Sequence, residues 1–508
     1  MDSTATSIRP TAPATPAAAL PWCVETEAVY FVGVGGCGMS GLARMLAARG
    51  AIVAGSDRVA SDLTESLVES GVAVDFDQDS GHLPERCDRL VVSAAVPPDH
   101  PQLLEAQRRG IPIMSYAEAL GQLMLARTGI SIAGTHGKST TTAMLAHILI
   151  ECGLDPSFVV GATCAQIGGG SRTGGETIPG QDRPGLLLAE ACEFNRSFHH
   201  HRPTIGAILN LEEDHLDIYG SLDAIIEAFH GFARLIPAAK DGGYLLISHD
   251  RAHRGVVATG LECAVETIGL STQADWNFAF DPESRRVTLG HDGGRVAEWT
   301  TPMIGEHNAY NSAVAAVLAH RVGAPWERII PAIESFRGID RRMQRLGSRP
   351  LPGGGEVLVY DDYGHHPTEI DTTLRALRAH EKPDRLVCVF QPHQHSRTRF
   401  LLEQFAASFS EADVVIVPHI YFVRDSEAEK QKVSARDLVD RLRQKGVQAM
   451  HLYPFEAIVE HLEIVCRPGD LVVVMGAGPV WKVARGFLGQ RRHESNGASS
   501  KNLSRPTR

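Results

Sequence analysis

The sequence predicts an α/β fold of three domains. The first and last are Rossmann-like, and the middle one is of P-loop type on a mostly parallel sheet. Two observations come from the same local pattern, an apolar run leading through a glycine loop into a helix. It occurs at "AVYFVGVGGCGMSG" and again at "GISIAGTHGKSTTTAMLAHILIECG", and it is the opening unit of a doubly wound sheet. The third is the alternation of short apolar runs with helical stretches at "EVLVYDD", "DRLVCVF", "ADVVIVP" and "DLVVVMGAG", which implies another parallel sheet. Length agrees: 508 residues of 43% hydrophobic composition fill more than one core, and three domains is the expected count.

Residues 1–21, rich in Pro, Ala and Thr, lack the apolar core of a signal peptide and are expected to be disordered. The first domain is placed at 22–125. It begins with a buried strand at 28–34, a glycine loop and a helix to about Arg49, and continues through "AIVAGSD", "RLVVSAAV" and "GIPIMSYAEAL". The second, 126–343, opens with strand, loop and a long helix closed by Gly153. Apolar runs at "GLLLAEA" and "IGAILNL" follow, then a helix capped by Ser221 and another from near Asn308. The Gly/Pro-rich "GSRPLPGGGE" reads as a loop opening the third domain, 344–488, and residues 489–508 are expected to be a disordered tail.

Composition excludes several classes of function. A formal net charge of -11 without any Lys/Arg run argues against a nucleic-acid partner. Nine cysteines, an odd number with no CxxC spacing, argue against a disulfide framework or structural zinc and for a reducing compartment. No apolar stretch approaches the roughly 18 residues of a membrane span. A cytoplasmic protein with no membrane partner is expected, as a monomer or a homodimer.

The chemistry is concentrated in loops after strands. In "GTHGKSTTT" only Thr135 and His136 separate Gly134 from Gly137, two residues where the common nucleotide signature has four. Backbone N–H groups from Gly134 to Thr140 at a helix start suit a phosphate, Lys138 adds charge, and the Ser139 hydroxyl suits Mg²⁺. A glycine turn into a Ser/Thr-rich helix is the plainer reading. Glu190 and His215 stand at strand ends, where open α/β sheets bind ligands, and are candidate metal ligands against the reading of solvated loop residues. Gly33, Gly35 and Gly38 have GxGxxG spacing with Asp57 as the candidate ribose acid, which suits a dinucleotide, a nucleotide sugar or a purely structural turn. Asn308 and Asn311 in "HNAYN" suit an adenine edge or a helix cap. "YDDYGHHPTEI" and "FQPHQHSRTRF" cluster Asp, His and Arg after strands of the third domain. The triple His199, His200 and His201 lacks ligand geometry and reads as surface.

Taken in order, "GVGGCGM", "GTHGKSTTT", "NLEEDHLD", "GEHNAYN", "FRGIDRRMQ", "DDYGHHPTE", "FQPHQHSRT" and "GAGPVWK" resemble the Mur ligase family over about residues 29–485. The family's loop has the same two-residue gap. The resemblance implies a domain holding a UDP-sugar, a central ATPase domain and a Rossmann-like domain closing over both. The implied reaction is ATP-dependent amide formation between UDP-N-acetylmuramate and L-alanine through an acyl phosphate. By motif, residues Gly134, Thr135, His136, Gly137, Lys138, Ser139 and Thr140 would grip ATP, and Ser139, Glu190 and His215 would hold Mg²⁺. Asn308 and Asn311 would face adenine and Asp362 the ribose. Arg342, His366 and Arg397 would lie near the reacting groups. Gly35, Gly36 and Gly38, helped by Ser93, would approach the UDP pyrophosphate. Two departures stand out. "EACEFNRSF" replaces a more acidic stretch while keeping Glu190, and Gln394 and His395 stand where many relatives have Arg-Tyr, which bears on L-alanine against glycine or L-serine. A ligase that attaches a tripeptide to the same UDP-sugar shares nearly all these motifs. Outside the family, an NAD-dependent oxidoreductase leaves the ATP loop unexplained, and a non-catalytic UDP-sugar sensor leaves Lys138, Glu190 and His215 without a role.

Overall fold

The structure, a computed structural model, describes residues 22, 24–423 and 425–490. The expectations for residues 1–21 and 491–508 lie outside these. The first sheet has five parallel strands in the spatial order Ala73–Asp75, Ile52–Ser56, Ala28–Val32, Arg89–Val92 and Ile113–Ser115. Its central strand, AVYFV, is buried at every position, because helices cover both faces of a parallel sheet and the alternation of polar residues disappears. At Gly33 the chain turns with φ +82°, a conformation that favours glycine, and helix Cys37–Ala48 starts after Gly36. That helix buries Met39, Leu42, Ala43, Met45 and Leu46, the i, i+3, i+4 stripe of a covering helix. The stripe packs in one apolar cluster with Val159, Leu187 and Ala189, which lie in strands of the second sheet, so these two sheets share an apolar boundary.

The second sheet has ten strands. At its centre Thr128–Ala133 lies between Leu186–Ala191 and Ile205–Ile208, all parallel. Helices Lys138–Glu151 and Glu306–Arg321 pack here, and both bury residues all round, as expected of helices enclosed in a large core. The first ends at Cys152 with Gly153 in the left-handed region at φ +76°, and Ser221 caps helix Leu222–Ala233 by accepting from the Ala224 N–H. An antiparallel extension of Trp276–Asp281, Arg286–His291 and Gly294–Thr300 was not legible in the sequence. His201 is a correction: it is buried, with Nδ1 2.9 Å from the Ser131 hydroxyl, because the strand above it leaves one polar group to satisfy.

The third sheet orders Gln344–Pro350, Glu356–Asp362, Asp470–Met475, Arg385–Phe390, Val414–Val417 and Gln448–His451. Five strands are parallel, and the first is an antiparallel edge. Part of the stretch read as a Gly/Pro loop is therefore a strand. Gly347 sits at a register shift and Pro350 at the end, positions where an edge strand tolerates both residues. The sheet class matches the expectation: three α/β sheets, the central one mostly parallel.

Candidate active site between the second and third sheets

The loop expected to hold phosphate joins strand Thr128–Ala133 to helix Lys138–Glu151. Gly134 (φ +143°) and Gly137 (φ +83°) give it a shape that side-chain-bearing residues rarely adopt. A Cβ on Gly137 would come 2.8 Å from the Asn311 Oδ1. Asn210, after strand Ile205–Ile208, fixes the loop tip from both sides: its Oδ1 accepts from the His136 N–H at 2.8 Å and its amide donates to the His136 carbonyl at 3.1 Å. Lys138 turns back into the loop, donating to the carbonyls of Gly134 and Thr135 and to Glu193 Oε2 at 2.9 Å. Burial opposes its charge, and Glu193, Cys192 and Glu190 together outweigh burial, so its ammonium is held above the usual range.

Glu190 and Glu193 flank the end of strand Leu186–Ala191. Glu190 accepts from the Ser139 hydroxyl at 3.0 Å and from the Gly161 N–H at 2.6 Å, and burial nonetheless pushes its carboxyl up. His215, with φ +53°, stands in a second group with Glu193 and Asp214, 3.9 Å and 3.6 Å from its Nε2; Glu193, Asp214 and His215 present donor atoms within 4.8 Å of one another. A hard divalent cation prefers oxygen donors. The Ser139 hydroxyl and the three carboxylates Glu190, Glu193 and Asp214 fit that preference around the loop lysine, and His215 is the one nitrogen donor among them.

The third sheet reaches this region with Arg397, His366, Arg342 and Asp362. Arg397, on helix His395–Phe400, forms a buried two-pronged pair with Asp214 at 3.0 and 3.3 Å, and its Nη2 lies 3.5 Å from His215 Nδ1. Burial favours the neutral acid, yet Arg397 and then His215 hold the Asp214 carboxyl far below its ordinary value. The Nε2 of His366 is 3.0 Å from the Glu213 carbonyl. Arg342 donates to Glu369 at 3.0 Å. Burial lifts the Asp362 carboxyl to about 6 against the pull of Arg342. Asp362 accepts from the Met343 N–H at 2.7 Å, and the Asn308 amide lies 3.9 Å from the Met343 sulfur, so the two residues expected at ribose and adenine flank one methionine. Asn308 itself donates to the Ile304 carbonyl. Gln394 and His395 are buried at the start of the Arg397 helix, with His395 Nδ1 3.7 Å from Asp425.

His136 shows how charge holds the two sheets together. Its Nδ1 is 3.3 Å from Glu369 and its Nε2 3.5 Å from Glu212. Burial works against protonation, but bonds to Glu212 and Glu369 prevail and raise the imidazole to about 9. A raised folded value contributes stability that is complete below the ordinary histidine value near 6.5 and disappears as pH climbs through about 9. The melting temperature is therefore expected to fall between pH 6.5 and 9, with a shallower fall in His136→Asn. Equal slopes in the two proteins would show that His136 is not charged.

The glycine loop of the first sheet is organised differently. Asp57 accepts from the Gly35 N–H at 2.7 Å, so the candidate ribose acid ties down the loop. A Cβ on Gly38 would strike the Tyr116 ring at 2.8 Å, and one on Gly33 would come 3.0 Å from the Ser93 Cβ. Burial raises the Tyr116 phenol, and the charges of Glu190 and Cys192 add to that. Among the motif residues, Glu193, Asn210, Asp214 and Glu369 were not singled out from sequence. Glu193 carried a signal in its spacing, three residues beyond Glu190 after a strand; the other three act through contacts 74 to 233 residues away.

Three family models match the chain. "Mur ligase family, catalytic domain" matches residues 28–128, "Mur ligase middle domain" 132–319 and "Mur ligase, glutamate ligase domain" 341–478. The chain is 36% identical over 466 residues to the UDP-N-acetylmuramate–L-alanine ligase of Lachnospira eligens, covering 91% of this chain and 97% of that protein. It is 38% identical over 471 residues to the protein of the same name from Geobacter sp., with the same coverage of 91% and 97%. In fold it is similar to the UDP-N-acetylmuramate-alanine ligase of Thermotoga maritima (TM-score 0.73, 24% identity, 91% of this chain and 98% of that one). A murein peptide ligase from Psychrobacter arcticus has the same fold (TM-score 0.68, 24% identity, 91% and 98%).

Proposed function

The chain belongs to the Mur ligase family, and on that premise we propose that it joins L-alanine to the lactyl carboxylate of UDP-N-acetylmuramate in peptidoglycan synthesis, with ATP as the energy source. The observation that supports this best is the delivery of Arg397 and His366 by the third sheet onto residues 213–215, beside Lys138 and the phosphate loop. Arg397 from the third domain and Lys138 from the second bring positive charge to the place where two anions must meet, and burial keeps the His366 imidazole toward its neutral form. The choice of L-alanine rests on the 36–38% identity to L-alanine ligases across 91% of the chain.

The reaction has two steps. The carboxylate oxygen attacks the γ-phosphorus of ATP, the bond to the β–γ bridging oxygen breaks, and ADP leaves an acyl phosphate. The amine of L-alanine then adds to the acyl carbon, loses a proton, and the tetrahedral intermediate expels phosphate to leave the amide. Lys138 and the loop N–H groups hold the triphosphate and offset the charge that moves toward the bridging oxygen. Ser139, Glu190 and His215 would hold Mg²⁺, which when bound with ATP supplies further neutralisation of phosphate charge. Arg342, His366 and Arg397 orient the reacting groups, and the loop at Gly35, Gly36 and Gly38 with Ser93 receives the UDP pyrophosphate. Asn308, Asn311 and Asp362 line the nucleoside side.

Among the described residues no helix is long and apolar enough to cross a membrane, in keeping with a cytoplasmic enzyme acting on soluble substrates. The site is assembled from one chain, which a monomer or a homodimer would satisfy equally. The test measures ADP release with UDP-N-acetylmuramate, Mg²⁺ and a panel of L-alanine, glycine, L-serine and the tripeptide L-alanyl-γ-D-glutamyl-meso-diaminopimelate. Release with L-alanine well above the others is expected. Release with the tripeptide alone would move the enzyme to the peptide-recycling reaction, and none with any amine would remove the ligase reading.

A further inference from the structure

The contacts of Glu369 extend beyond capping its own helix. The residue sits at the third position of helix Pro367–Glu381, where its Oε2 accepts from the backbone N–H groups of His365 and His366 at 2.9 and 3.3 Å. Its Oε1 meets Arg342 Nη1 at 3.0 Å and His136 Nδ1 at 3.3 Å. The side chain is 10% exposed. From the other side of the same imidazole the path continues to Glu212 at 3.5 Å, and Glu212 accepts from the Thr368 hydroxyl at 2.5 Å, one residue before Glu369. The contacts therefore close into a ring: loop tip, helix start of the third sheet, the segment after strand Ile205–Ile208, and loop tip again.

We propose that Glu369 is a positioning residue that couples the phosphate loop to the docking of the third domain, through His136 on one side and Arg342 on the other. The argument is geometric. The loop has little freedom of its own: glycines at 134 and 137 set its bends, and Asn210 grips the backbone of residue 136 on both faces. The side chain of His136 at the tip reaches the third domain, where it is fastened to Glu369 and packs on His366. Arg342 lies where the chain crosses into the third sheet, two residues before strand Gln344–Pro350. A shift of that domain must therefore pull on the loop tip and on the crossing together, so loop geometry and domain docking form one coupled equilibrium. Two other pairings were weaker candidates. The three donors His136, Glu212 and His366 lie within 4.8 Å, but the His366 nitrogens already meet the Glu213 carbonyl and the Thr368 N–H. The half-buried Arg49 and the buried Arg127 share the exposed Glu176, and Arg127 also donates to the Gly175 carbonyl, so neither guanidinium points to a ligand.

The inference rests on the ligase reading and deepens it. The test is a double-mutant cycle of His136→Asn and Glu369→Gln, with kcat, KM for ATP, KM for the UDP-sugar and melting temperature measured for all four proteins. Glutamine keeps an acceptor for the helix start while removing the charge. Each single variant is expected to lower kcat/KM for ATP on the order of tenfold, leaving KM for the UDP-sugar unchanged. The double variant is expected to be no worse than about twice the weaker single, since contacting residues are non-additive. Losses that multiply to about a hundredfold, or a loss shared equally by both substrates, would overturn the coupling. Should Glu369→Gln not fold, His136→Asn alone decides by the same comparison of the two KM values. A wild-type enzyme without UDP-sugar-dependent ADP release would instead fail the ligase reading, and the cycle would then be read on the Kd for ATP, where additivity overturns the coupling.

Discussion

Lys138→Ala is expected to lower kcat for amide formation by a few hundredfold, with the fold intact. Removing one preorganised group that meets developing charge costs about 3–4 kcal/mol of transition-state stabilisation, and Lys138 is the cation built into the phosphate loop. Its three N–H donors are held by two loop carbonyls and Glu193, so it is placed at the loop before any substrate arrives and exchanges one of these partners for a phosphate oxygen. Glu193 is 6% exposed, and the variant removes its ammonium partner and leaves His215 at 3.9 Å; the melting curve therefore has to be measured with the rate. A Lys138→Met variant fills the lost volume and separates packing from charge. If either variant turned over ATP within a few-fold of wild type while remaining folded, the loop would not be the triphosphate site.

How far the sequence led depends on the range of the interactions. Local patterns were enough for the three sheets: AVYFV, TGISIA, LLLAEA and LVVVM are mostly apolar runs, as parallel strands buried on both faces tend to be. The glycine loops were visible for the same reason, since Gly134 and Gly137 adopt backbone shapes other residues resist. Strand Gln344–Pro350 was missed because its Gly347 and Pro350 are turn-formers in most contexts, and only pairing with Glu356–Asp362 reveals an edge. The extension from Trp276 to Thr300 was missed because its strands alternate partly exposed residues and leave a weaker pattern than the buried runs.

The site shows the same division. Lys138, Ser139, Glu190 and His215 belong to motifs and were legible; their partners were not. Asn210 reaches a loop 74 residues earlier, and Glu369 one 233 residues earlier, distances over which no sequence period operates. The motifs thus supply the groups proposed to meet substrate, while the contacts that hold those groups in place come from positions with no local signature. Asp57 was singled out as a ribose acid on spacing alone, and in the structure its carboxylate is occupied by the Gly35 N–H.

Arg397→Ala is the variant expected to damage stability and activity together. Arg397 and Asp214 are 6% and 8% exposed, joined across the two sheets by two hydrogen bonds, and Arg397 also touches His393 and His215. Removing one member of a buried ion pair leaves the other charge without compensation, which costs about 3–5 kcal/mol. Because the Asp214 carboxyl is held far below its ordinary value of 3.8, the pair contributes stability above that pH and loses it as pH falls toward the folded value. The gap in melting temperature between wild type and Arg397→Ala should accordingly be widest near neutrality and shrink below pH 4. Arg397→Lys is expected to recover part of the stability, since a point charge replaces the fork without its two parallel bonds, and less of the rate. A gap that stayed constant down to pH 3 would mean that Asp214 is not charged in the folded protein, and the contact between the second and third sheets would then rest on the ring through His136 and Glu369 and on the His366–Glu213 bond.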